Sequence, residues 1–240
     1  MILSKIWRFI KRTLIILFIA QFVYIILCKW INPPITITQL VSILNGNGLK
    51  RNYVSIENIS PYAKLAVMAG EDQLFPDHDG FDWKSIEKAM EHNKKKPNRI
   101  RGASTISQQT AKNVFLWQGR SWFRKGLEIY FTKMIEWIWG KKRILEVYLN
   151  VIEMGKGVYG IDAASTRYFN KKAKSLSRNE AAIIASCLPN PQKYTVKPLS
   201  GFVVRRYPWI LQQMNNLEED TDVQNLINNK TNIKDNKNGK

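Results

Sequence analysis

Residues 60–80 read SPYAKLAVMAGEDQLFPDHDG, and this stretch decides the architecture of the chain. Ser60 followed by Pro61 is typical of a helix start, because serine caps the first turn and proline fits its first position. The residues up to Gly70 are apolar almost all round, which predicts a helix buried in the core. Glu71 leaves this helix, where burial would raise its pKa and suit it to accept a proton near neutral pH. A surface cap after a core helix is the alternative.

The composition limits the classes of function. The 240 residues are 45% hydrophobic, which suffices for one sizeable core. Lys and Arg total 37 against 19 Asp and Glu, so the net charge is +18. The expected partners are therefore anionic: a phospholipid surface, a phosphorylated substrate or nucleic acid. Cys28 lies in an apolar run and Cys187 in a predicted core helix, so neither a disulfide framework nor a cysteine metal site is expected.

The N-terminus has the pattern of a membrane anchor. Residues 1–12 are a basic segment that we predict to be cytoplasmic, and residues 13–31 are the predicted transmembrane helix. The remainder is then expected outside the cytoplasm, in a protein that crosses the membrane once. A cleaved signal peptide is the alternative, which the long apolar run and the lack of a small-residue cleavage site disfavour.

The rest of the chain divides by pattern. Residues 32–60 are predicted to be a linker and the first part of the body, with a short strand at residues 35–38, and residues 61–216 form a helical domain. Gly155 to Gly160 predict a flexible loop, and Ser177 with Glu180 predicts a capping box before a core helix. Residues 217–240 are polar and Asn-rich, which predicts disorder.

A basic loop precedes a helix start rich in hydroxyls and amides. This segment contains Arg101, Gly102, Ser104, Thr105, Gln108 and Gln109, with Ser104 as the predicted N-cap. Such a helix start can hold an anion or a sugar, because free backbone N–H groups and side-chain donors converge there. An ordinary cap is the alternative.

Two further helix starts carry cations. Arg124 and Lys125 precede Glu128 by four and three residues, so the three side chains share one helical face. Lys141 opens the following helix together with two more cations, which oppose the helix dipole and indicate an anion bound nearby. A solvated ion pair and a plain surface cluster are the alternatives.

Four motifs occur in register: Glu71-Asp72-x-x-Phe75-x-x-His78-x-Gly80, Gly102-x-Ser104-Thr105-Ile106-x-Gln108-Gln109, Arg124-Lys125-x-x-Glu128 and Lys141-x-x-Ile144-Leu145-Glu146-x-Tyr148-Leu149-Asn150. In order and spacing they resemble the family 51 glycosyltransferases, and closely the monofunctional biosynthetic peptidoglycan transglycosylases, over about residues 33–214. The resemblance implies a mostly α, lysozyme-like, two-lobed glycosyltransferase domain at residues 61–216 behind a single N-terminal transmembrane helix.

The same resemblance implies the reaction and the site. The expected enzyme polymerises lipid II into β-1,4 glycan strands with inversion at the donor anomeric carbon and release of undecaprenyl pyrophosphate. Glu71 corresponds to the general base and Glu128 to a second glutamate, whose role as an acid or as an organiser of the pyrophosphate end stays open. The implied substrate-binding residues are Asp72, Phe75, His78, Arg101, Gly102, Ser104, Thr105, Gln108, Gln109, Arg124, Lys125, Lys141, Glu146, Tyr148 and Asn150. For His78, a structural hydrogen-bonding role is the alternative.

The expected partners are lipid II, the growing glycan strand and the membrane, without nucleic acid. Proteins of the cell-division or elongation machinery are left open. No metal site and no required cofactor are expected, and a divalent cation at the pyrophosphate is left open.

Three other functions are alternatives to this expectation. A muramidase or lytic transglycosylase would share the helical fold and one essential glutamate, without needing an anchor beside a basic cluster. A penicillin-binding transpeptidase is disfavoured because Ser85-Ile86-Glu87-Lys88 is the only S-x-x-K and the chain has no K-T-G. A non-enzymatic basic membrane or nucleic-acid binder would leave the glutamate motifs unused.

Overall fold

The protein is a bundle of short helices behind one long N-terminal helix, in a computed structural model that describes residues 2–97, 102–119 and 121–228. The helices of these ranges are α1 (Ile2–Leu27), α2 (Ile37–Leu44), α3 (Pro61–Glu71), α4 (Trp83–Lys95), α5 (Ile106–Phe115), α6 (Trp122–Ile138), α7 (Lys141–Val151), α8 (Ile161–Phe169), α9 (Arg178–Cys187), α10 (Gly201–Leu217) and α11 (Thr221–Ile227). Three short strands join them: β1 (Lys50–Arg51), β2 (Glu153–Gly155) and β3 (Val158–Tyr159). The prediction of a mostly α fold is confirmed.

Helix α3 is the centre of the core, as its sequence predicts. Ser60 caps it by accepting a hydrogen bond from the backbone N–H of Tyr62, Pro61 occupies its first turn, and residues 63–69 are buried. Helices α9 and α10 pack against α3, while α5 packs against α6 and α7. The buried apolar side chains of both groups form one contiguous cluster, which holds the end of α3 in a fixed position.

The N-terminal helix is long and apolar enough to cross a membrane over Ser4–Leu27. It begins before the predicted residue 13 and ends before residue 31. Its last turn is not free, because Trp139 donates from Nε1 to the Ile25 carbonyl at 2.8 Å. Arg143 donates to the Cys28 carbonyl from Nε at 3.1 Å and from Nη2 at 2.9 Å. Helix α1 is therefore docked on α6 and α7 at its C-terminal end.

The predicted strand at residues 35–38 is wrong. Thr36 is instead the N-cap of α2: its hydroxyl accepts from the Gln39 N–H, and the Gln39 side chain accepts from the Thr36 N–H. This reciprocal capping box satisfies two backbone donors at the helix start, which outweighs the apolar alternation.

The predicted flexible glycine loop is also wrong. Strand β3 pairs in antiparallel fashion with β2 and in parallel fashion with β1, so this segment forms a sheet of order β1-β3-β2. Gly157 has φ +69°, and a Cβ atom there would lie 2.1 Å from the carbonyl oxygen of Asn47. Glycine is required here for close backbone packing rather than for mobility.

Disorder from residue 217 onward is wrong for residues 221–227, which form α11. Asp220 caps this helix, and Val223 and Ile227 are buried against α3. Lys64 on α3 is itself fully buried, and its Nζ donates to the carbonyl oxygen of Ile227 at 3.0 Å. Residues 229–240 lie outside the described part of the chain.

Candidate active site

Glu71 is the last residue of α3, and its side chain is only 12% exposed. Burial raises the pKa of its carboxyl, and the charge of Asp72 acts in the same direction. A hydrogen bond from Gln109 and the charge of Arg206 oppose that rise without cancelling it. A carboxyl with a raised pKa that remains partly accessible is suited to accept a proton from a bound molecule.

Three elements fix the direction of the Glu71 carboxylate. Gln109 on α5 donates from Nε2 to Glu71 Oε2 at 2.9 Å, and the Tyr148 hydroxyl on α7 donates to Gln109 Oε1 at 3.2 Å. Burial raises the pKa of Tyr148, which keeps its hydroxyl protonated as a donor. Arg206 on α10 lies with Nη2 3.7 Å from Glu71 Oε1 and donates to the Gly70 carbonyl at 2.8 Å. The two carboxylate oxygens therefore face different partners.

Asp72 and His78 tie the loop after α3 to the start of α5. His78 Nε2 lies 3.0 Å from both carboxylate oxygens of Asp72, and Gly80 N–H donates to His78 Nδ1 at 3.1 Å. Because Nδ1 accepts, Nε2 carries the proton that is donated to Asp72. Asp72 Oδ2 also accepts from the N–H of Ile106 at 2.9 Å, and Phe75 is fully buried beneath the loop. The polar atoms of this pair are used within the fold.

In the motif from Gly102 to Gln109, some residues are bonded within the protein and others are exposed. Thr105, not Ser104, is the N-cap of α5, and it forms a capping box with Gln108. The predicted N-cap, Ser104, is therefore one residue too early. Thr105 is held at the cap by a tertiary contact that the sequence does not reveal, since its Oγ1 donates to the Gly80 carbonyl at 2.7 Å. Gly102 and Ser104 are exposed beside this cap. Arg101 lies outside the described residues.

Glu128 binds two cations on its own helix. Arg124 donates from Nη1 to Glu128 Oε2 at 2.7 Å, and Lys125 Nζ lies 2.6 Å from Glu128 Oε1. Glu128 and Arg124 are buried, whereas the Lys125 side chain is 38% exposed. Within the described ranges, the buried Nε of Arg124 has no hydrogen-bond partner. The two cations therefore comprise one buried group with a donor that has no partner and one partly exposed ammonium group.

Lys141 has internal partners. Its Nζ donates to Glu136 Oε1 at 2.7 Å and to the carbonyl oxygen of His78, and it lies 4.8 Å from the centre of the Phe75 ring. Glu136 Oε1 also accepts from the Ser107 hydroxyl. Lys141 thus holds the loop after α3 against α5 and α6.

Glu146 and Asn150 on α7 are also used within the fold. Glu146 accepts from Arg143 at 2.7 Å, and Arg143 is the residue that holds the end of α1. Asn150 is 1% exposed, and its amide donates to the Val54 carbonyl and accepts from the Val54 N–H, both at 2.9 Å. These contacts join α7 to the segment before α3.

Sequence reasoning missed Lys112 and Arg206. Lys112 lies three residues after Gln109 on α5, so helical spacing alone could have placed it near the site. Burial lowers the pKa of Lys112, and the charges of Glu128 and Glu71 oppose that shift, which places its ammonium group in the field of both glutamates. Arg206 reaches Glu71 only through the packing of α10 on α3, for which the sequence carries no local signal.

No three His, Cys, Asp or Glu side chains come together as a metal-binding group in residues 2–97, 102–119 and 121–228. Apart from the neighbouring carboxylate of Asp72, the polar groups around Glu71 are donors and cations. Their arrangement suits proton transfer beside a bound anion.

Comparison with known proteins assigns the chain to a family. A family model described as Transglycosylase matches residues 38–215. "Biosynthetic peptidoglycan transglycosylase" from Yersinia pseudotuberculosis serotype O:3 (strain YPIII) is 48% identical over 229 residues, which cover 92% of this chain and 95% of that relative. A protein of the same name from Yersinia pestis (strain Pestoides F) is 48% identical over 228 residues, with the same coverage of both chains. The chain therefore belongs to the transglycosylase family, as the four motifs imply.

Proposed function

We propose that this transglycosylase polymerises lipid II into β-1,4-linked glycan strands, with Glu71 as the general base. The observation that carries the assignment is the Glu71 carboxyl, which has a pKa raised by burial and one oxygen held by Gln109. The names of the Yersinia relatives, which describe biosynthetic peptidoglycan transglycosylases, support the same substrate class.

In the proposed reaction, the 4-hydroxyl oxygen of the acceptor sugar bonds to the anomeric carbon of the donor. The hydroxyl proton passes to Glu71, and the bond between the anomeric carbon and the pyrophosphate oxygen breaks. The electron pair leaves with undecaprenyl pyrophosphate, and attack opposite the leaving group inverts the anomeric configuration. A general base of this kind typically contributes about 10²- to 10⁴-fold to the rate.

The departing pyrophosphate requires positive charge more than it requires a strong acid. Arg124 and Lys125 both pair with the single carboxylate of Glu128, and Lys112 lies in the field of the same group, so cations outnumber carboxylates there. Both oxygens of Glu128 already accept short bonds from cations, so we assign it as the organiser of Arg124 and Lys125 rather than as the acid. Lys125, whose side chain is 38% exposed, is the cation of this group that we expect to contact a phosphate oxygen, while Arg124 adds charge from a buried position.

The remaining predicted substrate contacts divide into two proposed groups. Gly102 and Ser104 are proposed to line the substrate cleft, and Arg101 is added to this group from the sequence alone. Gln109 is proposed to border the cleft while it orients Glu71. Asp72, Phe75, His78, Thr105, Gln108, Lys141, Glu146, Tyr148 and Asn150 are proposed to act by positioning the backbone and Glu71, because their polar atoms or rings contact other protein groups.

A lipid-linked substrate also fits the anchor. Helix α1 is compatible with a single membrane crossing, and the basic residues before its apolar part favour a cytoplasmic N-terminus. We therefore place the catalytic domain on the outer side of the cytoplasmic membrane, where lipid II is polymerised.

The test is an assay with two substrates. Purified full-length protein in detergent micelles is incubated either with labelled lipid II or with finished, lipid-free glycan. We expect lysozyme-digestible polymer from lipid II and no cleavage of the finished glycan. Cleavage of the finished glycan without polymerisation would assign a lytic enzyme and overturn the proposal.

A further inference from the structure

A cavity of about 510 Å³ lies between β1 and α8, and none of its lining residues belongs to the site around Glu71. Its walls carry Lys50, Arg51, Arg167 and Lys172, together with the single carboxylate of Asp162. The cavity is therefore a strongly cationic concavity outside the catalytic machinery.

Both carboxylate oxygens of Asp162 accept hydrogen bonds from other parts of the protein. Asp162 is 2% exposed, with Oδ2 accepting from Asn52 Nδ2 at 2.7 Å and Oδ1 accepting from the Ala173 N–H at 2.8 Å. Its two oxygens thus hold β1 and the turn after α8 against the helix. Asp162 still contributes one negative charge against the four cations of the lining, so the cavity walls carry a net charge of +3.

Three of the cations are left without a counter-charge. Lys50, Arg167 and Lys172 are exposed, and among the described residues none has a carboxylate within ion-pair distance. The neighbouring Lys171, by contrast, pairs with Glu180 at 2.8 Å. Cations that outnumber carboxylates around a concave space create a favourable field for an anionic group.

The fourth cation of the cavity, Arg51, contacts helix α2. Arg51 donates to Gln39 on α2 at 2.9 Å and lies 5.0 Å from the centre of the Tyr53 ring, so neutral groups hold it in place. Helix α2 exposes large apolar side chains, including Leu40 at 46% and Leu44 at 75%. Arg51 thus connects one wall of the cavity to the buried side of α2, and the same helix exposes these apolar side chains elsewhere on its surface.

The segment that joins α1 to α2 is short, so α2 and the adjoining β1 lie near the end of the predicted membrane anchor. Helix α1 ends at Leu27 and α2 begins at Ile37, so nine residues separate them. Fully extended, such a segment spans roughly 30 Å, and α1 is fixed to the body by Arg143. A surface within this reach of a membrane-crossing helix can meet lipid headgroups.

We propose that the cavity between β1 and α8 binds the phosphate of an anionic membrane lipid, whose acyl chains lie along the exposed apolar face of α2. Lys50, Arg167 and Lys172 supply the charge, and Leu40 and Leu44 supply the apolar contact. This site is separate from catalysis and rests only on the membrane anchorage of the chain.

The test is lipid binding by the full-length chain in a non-ionic detergent, measured by native mass spectrometry with equal amounts of phosphatidylglycerol and phosphatidylcholine. The cavity variant combines Lys50→Gln, Arg167→Gln and Lys172→Gln. The charge-matched control combines Lys84→Gln, Lys88→Gln and Lys94→Gln, which neutralise exposed lysines of α4. Polymerisation of lipid II in neutral micelles, unchanged in both, shows that the variants are folded.

We expect the wild-type chain and the control to prefer phosphatidylglycerol, and the cavity variant to lose that preference by about 10²-fold, as three removed cations near a lipid surface would cause. An equal loss in both triple variants would show that overall charge, not the cavity, binds the lipid. An unchanged preference in the cavity variant would overturn the proposal. Displacement of the lipid by millimolar inorganic phosphate would also overturn it and assign the cavity to a free phosphate.

Discussion

Gln109 donates from its amide nitrogen to Glu71 across 2.9 Å, while its amide oxygen accepts from the Tyr148 hydroxyl at 3.2 Å. The second bond fixes which end of the amide faces the carboxylate, so Gln109 can only donate to Glu71. This donation favours the charged form of Glu71, whereas burial favours the neutral form. The balance between the two effects sets the proton affinity of the proposed base.

Replacing Glu71 by Gln should lower polymerisation by at least about 10²-fold, because the general base is lost. The folded protein should become more stable at neutral pH, since burial raises the pKa of Glu71 and an ionised carboxylate costs free energy there. This gain should disappear as pH falls from the raised pKa towards the ordinary 4.5, where the wild-type carboxyl is protonated in both states. Thermal unfolding across pH and a lipid II assay measure the two effects. Glu91→Gln, at an exposed position, is the control and should change neither.

Replacing Gln109 by Leu should move the acidic limb of the pH–rate profile to higher pH. The hydrogen bond from Gln109 lowers the pKa of Glu71, so its removal lets burial raise that pKa further. The measurement is kcat/KM for lipid II against pH. Gln192→Leu, at an exposed position, is the control. An unmoved acidic limb in the Gln109 variant would contradict the assignment of that limb to Glu71.

Replacing Lys112 or Lys125 by Met should lower turnover by roughly 10²-fold, as expected when a charge stabiliser of the transition state is removed. Lys94→Met and Lys174→Met, both at exposed positions, should remain near wild type in micelles. The assay compares kcat with KM, because stabilisation of the departing pyrophosphate should appear in kcat. Equal, salt-sensitive losses in all four variants would mean that the cations act only by general attraction.

Replacing Asn150 by Leu should destabilise the fold rather than weaken substrate binding. The substitution removes both hydrogen bonds to Val54 and leaves its N–H and carbonyl unpaired, at a cost of roughly 1–3 kcal/mol for each buried group. Denaturant unfolding should show the loss, while KM for lipid II at low temperature should be near wild type. If the variant had normal stability and a raised KM, Asn150 would instead be assigned to substrate binding.

Because Lys64 is buried, the free energy of unfolding should increase with pH in the alkaline range. Burial lowers its pKa from 10.5 to about 8, so the folded state releases the proton before the unfolded state does. Stability should therefore increase as pH rises from about 8 to 10.5. Chemical denaturation across this range should show a smaller increase in Lys64→Met than in wild type. Lys84→Met is the exposed control, and parallel curves for wild type and Lys64→Met would contradict the expectation.

Much of the helical fold could be predicted because its signals are local. Ser60 with Pro61, and Ser177 with Glu180, announce helix starts within a few residues, and both caps form as predicted. Helix α11 could not be predicted in this way. Its short polar sequence is ordered by tertiary contacts, including the bond from Lys64 to the Ile227 carbonyl.

In the site, too, local sequence signals could be read, whereas contacts between distant helices could not. Motif spacing identified Glu71, Gln109 and Glu128 as neighbours in a family pattern, and the structure gives each a polar partner. Spacing could not tell which motif residues face a ligand and which face the protein, because that depends on packing between distant helices. Asn150, whose amide is bonded to Val54, and Arg206, which lies beside Glu71 although it belongs to none of the four motifs, are two examples.

The contacts of Arg143 with Cys28 and of Trp139 with Ile25 mean that the anchor is not a flexible stalk. A tethered domain on a flexible linker can swivel and change its distance from the bilayer. Here any rotation about the anchor must first break hydrogen bonds to the last turn of α1. The cleft therefore keeps a fixed distance and orientation relative to α1, a helix that is long and apolar enough to cross a membrane.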